Sequence, residues 1–511
     1  MRNADIREYM RGKWGIIAII TSVCLLCALW AATGKLVMAV ALFMCPSLLI
    51  MAKFIFRKPV ILFVILFVAN YCILGLTRYM SIPLPISVLM DFLMLGLVFV
   101  LCLSLIRGNK SFKQESVPFI LIYGCWIMYC LVQLFNNTTG TGFQISAWFK
   151  DVRPMALHAF YIIIIFTLLF DKEKHIKYFL YLWGAFILLA TIKGYMQRNW
   201  GFDTNEWHWL MTVGGRTHLI HSGVRYFSFF SDAGNYGTNM AFSMVTYAIC
   251  ALYEQNKYNR ICWIVIAIAS GYGMLISGTR TAIAVAITGF VFFTLLSKNI
   301  RLFLISTILL VSLVGILKFT TIGEGNQLVR RMRTAFDPED ASLQVRLTNQ
   351  KAIRSYMKEA PWGIGFGLGM GDDQLPHSNK YWIVSVTAPD STLVYLWMRT
   401  GIVGISVFLI VLGISLLIQS YIVLFKVKDK ELRGILAAFT CGSACMIVAA
   451  YGNFVYHQYP NTLLVFGLQT LVFMGPYFER KKKMRTLDKE QIFDSDFDKQ
   501  REKIVYESQN Q

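Results

Sequence analysis

Three arginines and two candidate bases stand in polar stretches of a chain that is otherwise apolar. Arg225 opens the run Arg-Tyr-Phe-Ser-Phe-Phe-Ser-Asp-Ala-Gly-Asn, Arg280 lies in Ser-Gly-Thr-Arg where two apolar runs meet, and Arg346 lies in the long polar segment from Thr320 to Ser391. An arginine at a membrane boundary is costly to desolvate and calls for an anion or an acceptor. Guanidinium groups grip phosphate through planar, multi-donor contacts, so three of them around one cavity read as a diphosphate site. The plainer readings are that Arg280 anchors a helix end at the headgroups and that Arg346 snorkels beside an apolar stripe. Asp390, at the opening of an apolar span, and His377, near the middle of its loop, are the candidate bases for a hydroxyl. Here too a plainer reading exists: Asp before a helix is a common N-cap, and a lone loop histidine is often only solvated. His218 and His221 carry the same ambiguity in another polar loop.

A diphosphate is already a good leaving group. The protein then needs only to position an acceptor, stabilise the departing charge and supply a base, with no cofactor demanded. The alternating Gly363, Gly365, Gly367 and Gly369 are not a dinucleotide fingerprint, because no strand or βαβ unit surrounds them. They predict a tight turn. All eleven cysteines fall in apolar runs without metal-ligand spacing and read as packing residues.

What positions these residues follows from composition. With 56% hydrophobic and 15% charged residues in 511, the chain is an all-α polytopic membrane protein. The formal charge of +20 does not point to nucleic acid, because the basic residues cluster between apolar runs, where they orient a membrane protein. About fourteen transmembrane helices are expected, near 15–33, 36–52, 59–76, 86–106, 117–135, 155–170, 176–196, 235–253, 261–278, 281–297, 302–318, 392–424, 434–455 and 459–478. Basic clusters such as Lys53/Arg57/Lys58, Arg107/Lys110/Lys113 and Lys426/Lys428/Lys430 mark every second connection. Both termini are therefore expected in the cytoplasm, with two long loops, 197–234 and 319–391, on the opposite side. The chain divides into an N-terminal bundle (1–318), the large outer loop (319–391), C-terminal helices (392–478) and a polar tail (479–511). In the outer loop, Asp340 or Ser342 caps a helix that Pro361 ends, with Leu343, Leu347, Ile353 and Met357 as its apolar stripe.

Taken together, the Arg225 segment with Asp232 and Asn235, the Ser-Gly-Thr-Arg280 junction, Arg346 ahead of Pro361-Trp-Gly-Ile-Gly, and the span closing on Gly401-Ile-Val-Gly404 resemble the O-antigen ligase/polymerase superfamily. The likeness covers roughly residues 220–410. It implies a metal-independent, inverting glycosyltransferase of the bacterial inner membrane whose active site faces the periplasm. Its donor would be glycan on undecaprenyl diphosphate, and its acceptor a hydroxyl of lipid A-core or of another glycan. By the same resemblance Arg280 and Arg346 match arginines that hold the diphosphate, and Arg225 matches the basic residue ahead of the Asn-containing helix start. One departure stands out: the family has His-Asn where this chain has Asp390-Ser391. A ligase is the first reading and a polysaccharide polymerase the alternative. A flippase of lipid-linked sugars, from a different class, would be expected to show internal repeats and charges near mid-membrane, and no repeat is evident.

Overall fold

The computed structural model describes residues 58–80, 86–142, 144–220, 223–297, 341–368 and 375–484, with isolated positions between 304 and 333. The expected spans at 15–33 and 36–52, most of that at 302–318, and Asp340, His221, Gly369 and the tail beyond 484 lie outside the described residues. The chain divides into two compact units, Met1–Ile65 and Leu66–Gln511, the first described only from Lys58.

The architecture is mostly helical. Among the described residues nine helices are long and apolar enough to cross a membrane, and a pair bent by 50°, Asn461–Phe473 with Gly475–Met484, makes up to ten. In chain order the main helices are α1 (Pro59–Leu76), α2 (Ile86–Ile106), α3 (Gln114–Phe135), α4 (Ile145–Leu169) and α5 (Glu173–Asn199). They continue with α6 (Ala233–Tyr253), α7 (Lys257–Ile276), α8 (Arg280–Ser297), α9 (Ala341–Met357), α10 (Thr392–Tyr421), α11 (Lys430–Gly452) and α12 (Asn461–Phe473). The described strands are a two-residue antiparallel pair, Leu219–Ile220 with Gly223–Val224.

Two helices differ instructively from their apolar runs. The run read as 155–170 is the second half of α4, which begins at Ile145 and carries a π-helical turn over Arg153–Leu157. Its charged start is accommodated because Arg153 pairs with Asp91 of α2, while His158 Nε2 lies 2.5 Å from the same carboxylate and its Nδ1 lies 2.9 Å from the Tyr459 hydroxyl. Helix α6 is the opposite case. It is not among the nine helices apolar enough to cross a membrane, yet almost all of its side chains are buried, against α7, α8 and α11. Burying polar groups is tolerable only when each is bonded. Asn235, Asn461 and Asn239 meet this condition as a chain: Asn461 Nδ2 donates to Asn235 Oδ1 and Asn239 Nδ2 to Asn461 Oδ1, each at 2.8 Å. Ser243 and Thr246 bond back to carbonyls one turn earlier.

The long polar segment folds onto the bundle. Ile353, Met357, Ala360, Ile364, Leu368, Leu375, Tyr381 and Val384 form a small core closed by Val394 and Met398 of α10. Ile353 and Met357 of the expected stripe are buried, whereas Leu347 is 40% exposed, because the first turns of α9 present Arg346 and Asn349 inward instead. The glycine pattern is a turn, with φ of +80°, +92° and +86° at Gly363, Gly365 and Gly367. Helix α10 breaks at Gly401 (φ 66°, ψ −168°), and the turn fills the break: Ile364 N donates to Met398 O at 3.0 Å and Gly365 N to Arg399 O at 2.9 Å. Cβ atoms at Gly401 and Gly363 would run into the carbonyls of Pro361 and Arg399, so both positions need glycine for space as well as for φ.

Candidate active site

Helix α6 starts where the Arg225 segment ends. Asp232 is its N-cap, accepting from Asn235 N at 3.0 Å through Oδ1, while Ser231 Oγ donates to Oδ2 at 2.7 Å. Asn235 Nδ2 donates to Ser231 Oγ at 2.9 Å and to Tyr459 O at 2.7 Å, which ties this helix start to the connection between α11 and α12. Arg78, which follows α1, lies 4.4 and 4.3 Å over the Trp209 and Phe227 rings and donates to the carbonyls of Phe230 and Ser231. Burial lowers its pKa to about 10, opposed by the charges of Glu206, Tyr79, Asp232 and Asp203. It is a clamp that fixes the approach to Asp232.

Arg225 reaches from this segment to the turn between α7 and α8. Its guanidinium donates to Thr217 O and to Thr279 Oγ1, each at 3.0 Å, and Thr279 Oγ1 donates to Ala233 O at 2.7 Å. The first turn of α6 and the Ser277-Gly-Thr279 turn are in contact, since a Cβ at Gly237 would overlap Ser277 and Thr279. Arg280 follows directly as the first residue of α8. Burial depresses the Arg225 pKa, Asp232 opposes that shift, and the positive charges of Arg280 and Arg346 add to it. Arginines from three separate segments thus come near enough for the charges of Arg280 and Arg346 to be felt at Arg225.

Arg346 arrives from the polar segment. Its Nη1 donates at 2.8 Å to the carbonyl of Gly452, the last residue of α11, where helix carbonyls lack an intrahelical partner. Gly452 in turn packs on Thr281 beside Arg280, with no room there for a Cβ. The inward contact of Arg346 is therefore a hydrogen bond to protein and not a snorkelling pose. Three residues along α9, Asn349 Nδ2 lies 3.4 Å from Asp390 Oδ2. Asp390 does not cap α10: the cap is Ser391, whose side chain accepts from Val394 N at 3.1 Å. The Asp390 carboxylate is half-buried and turned toward the helix that carries Arg346.

The histidines sit elsewhere. His377 is exposed and stacks on Trp382 at 4.0 Å, with no described contact to the arginines. His218 is structural: its Nε2 accepts from Ala233 N at 3.0 Å, and its Nδ1 faces Gly214 O at 2.9 Å and Thr217 Oγ1 at 2.8 Å. Burial lowers its pKa to about 4, so it is neutral at pH 7.

Residues that the sequence reading missed complete the picture. Asn453 follows Gly452, and its carbonyl lies 3.3 Å from both N and Oγ1 of Thr392 at the start of α10. Its side chain points at Gly234 in the first turn of α6. The only sequence signal was an uncharged polar pair ending an apolar span. As built, this region joins the N-terminal ends of α6, α8 and α10 to three guanidinium groups and two half-buried carboxylates, Asp232 and Asp390. Helix N-termini and guanidiniums both favour anions, and a carboxylate can take a proton from a hydroxyl.

No curated protein matches the chain significantly. Residues 265–409 match the family model described as O-antigen ligase. That stretch runs from α7 through Arg280, Arg346 and Asp390 to the glycine break in α10, and the match supports placing it in the O-antigen ligase superfamily.

Proposed function

We propose that this chain is an inverting, metal-independent glycosyltransferase that moves glycan from undecaprenyl diphosphate to an acceptor hydroxyl at the periplasmic face of the bacterial inner membrane. The ligase reaction, with lipid A-core as acceptor, is the leading form. The family match supports a membrane glycosyltransferase of the ligase/polymerase type in general. The observation that supports the finer reading is a run of contacts that brings the three arginines together: Arg225 bonds Thr279 next to Arg280, Gly452 packs on Thr281 next to Arg280, and Arg346 bonds the Gly452 carbonyl. A diphosphate is the ligand whose charge and oxygen count such a cluster fits.

In the reaction the acceptor oxygen attacks the anomeric carbon, the bond from that carbon to the diphosphate oxygen breaks, and the diphosphate leaves with the electron pair. The hydroxyl proton passes to Asp390, which Asn349 orients. Arg280 and Arg346 neutralise the charge that grows on the leaving oxygen, and Arg225 contributes at longer range through its place beside Thr279. His377 is the alternative base.

Deleting the chain and analysing the glycolipids by mass spectrometry tests this function. Long unligated glycan on the lipid carrier marks a ligase, and single repeat units mark a polymerase. Unchanged glycolipids, together with no transfer by purified protein given donor and acceptor, would sink the reading.

A further inference from the structure

Within that reading, one buried group has no role yet. Asn453 Nδ2 is buried and has no hydrogen-bond partner among the described residues. A buried donor without an acceptor is a cost that a native fold ordinarily avoids. Its surroundings say what would satisfy it. The position of a Cβ on Gly234 would be 3.6 Å from Asn453 Nδ2 and 2.9 Å from Asp232 Oδ1, so an amide donor and a carboxylate face the same small space beside α6. A side chain at Gly234 would crowd both groups, so glycine leaves them facing each other without a methyl group between them. Asp232 uses Oδ1 for Asn235 N and Oδ2 for Ser231 Oγ, which leaves lone pairs on both oxygens, since a carboxylate offers about four acceptor sites.

We infer that Asp232 and Asn453 hold a sugar hydroxyl next to the diphosphate arginines, and this rests on the transferase reading above. A sugar hydroxyl suits both partners, donating to Asp232 and accepting from Asn453. A phosphate oxygen does not, because it carries no proton at neutral pH and Asp232 repels it. The pair is adjacent to the arginines by construction: Gly452, whose carbonyl takes Arg346, precedes Asn453, and Ala233, whose carbonyl takes Thr279, follows Asp232. The hydroxyl belongs either to the donor sugar bonded to the diphosphate or to the acceptor sugar, and the chemistry of the clamp is the same for both.

The experiment uses the full chain in lipid nanodiscs, with lipid-linked glycan isolated from cells lacking the chain and with their own acceptor, and reads KM for each substrate separately. Asn453→Ala is expected to raise KM about tenfold for the substrate whose hydroxyl is held, the loss falling on KM rather than kcat. A rise confined to the donor assigns its first sugar, and a rise confined to the acceptor assigns the acceptor sugar. Gly234→Ala, which places a methyl group in the same space, is expected to raise the same KM and serves if Asn453→Ala does not fold. Unchanged KM for both substrates in a folded variant overturns the clamp while leaving the transferase reading standing. A wild-type chain with no transfer at all brings down the transferase reading itself, and the clamp with it.

Discussion

The Arg346 side chain donates at 2.8 Å to the Gly452 carbonyl, which locks a helix of the long polar segment onto the last turn of a membrane helix. The contact satisfies a carbonyl that the helix leaves open and places a cation where the helix dipole favours one. It also brings Asn349, and through it Asp390, to the same region. Arg346→Ala and Arg280→Ala are each expected to lower transfer by about two to three decades, or about 2–4 kcal/mol of transition-state stabilisation. Lysine at either position should restore little, because a point charge cannot reproduce the planar fork. The check is a transfer rate on purified variants whose membrane insertion matches wild type. Full activity in Arg280→Lys would mean that Arg280 is only a headgroup anchor.

Asp390 and His377 are separated by a pair of substitutions. Because Ser391 is the N-cap of α10, Asp390→Asn removes the charge without touching the cap. Transfer by Asp390→Asn is expected to fall by about two decades or more, the usual range for losing a general base, while His377→Ala stays near wild type. The reverse pattern would give the role to His377.

Charge alternation along the chain predicts that the loops at 197–234 and 319–391 lie outside the cytoplasm. Single cysteines at Ser342 and Ser378, in a background without reactive native cysteines, should react with an impermeant maleimide in intact spheroplasts. Labelling only after lysis would reverse the topology and the compartment of the reaction.

Acid should loosen the loop around His218. Its folded pKa, lowered to about 4 by burial, lies below the usual value of 6.5, so the unfolded state binds the extra proton between those two values. The stability it supports is whole above pH 6.5 and declines as pH falls toward 4, by on the order of 3 kcal/mol for a shift of this size. Asp203, held below the usual carboxylate range by Tyr79, Lys193 and the Glu206 backbone against its own burial, adds a loss of the same sign at lower pH. Amide exchange in residues 204–234 measured from pH 7.5 to 4.5, and corrected for the roughly tenfold fall in intrinsic exchange rate per pH unit, should show protection factors that drop across that window. In His218→Gln the step near pH 6 should vanish.

Gly363→Ala probes the seat of the polar segment. The residue would need φ near +80° and its methyl group would meet the Arg399 carbonyl. Left-handed strain alone costs about 1–2 kcal/mol, so a lower unfolding temperature is expected, along with faster proteolysis within residues 341–391. Ala at Gly413, where nothing lies within 4 Å of the added atom, is the silent control.

Much of this protein was legible in its sequence. Apolar runs of membrane-spanning length dictate helices, because lipid leaves backbone groups no other partner, and the spans expected within the described residues are helical. The arginines could be picked out because charge at a membrane boundary is expensive, and the glycine turn because alternate glycines outside a βαβ unit have little other use. Other features needed the tertiary structure. The run at 155–170 hid ten earlier helical residues, whose Arg153 becomes tolerable only once Asp91 of another helix faces it. Leu347 matched the helical stripe but stays exposed, since the inner face of α9 there is set by what Gly452 and Asp390 require. That Ser391 rather than Asp390 caps α10 depends on backbone angles at two adjacent residues, which no pattern of residue types encodes. Asn453 was silent because its place is spatial: only the fold brings its amide near Asp232 with no hydrogen-bond partner among the described residues. Periodicity and charge are local properties of the chain and survive in one dimension, whereas the pairing of groups some 220 residues apart, such as Asp232 with Asn453, is created by packing alone.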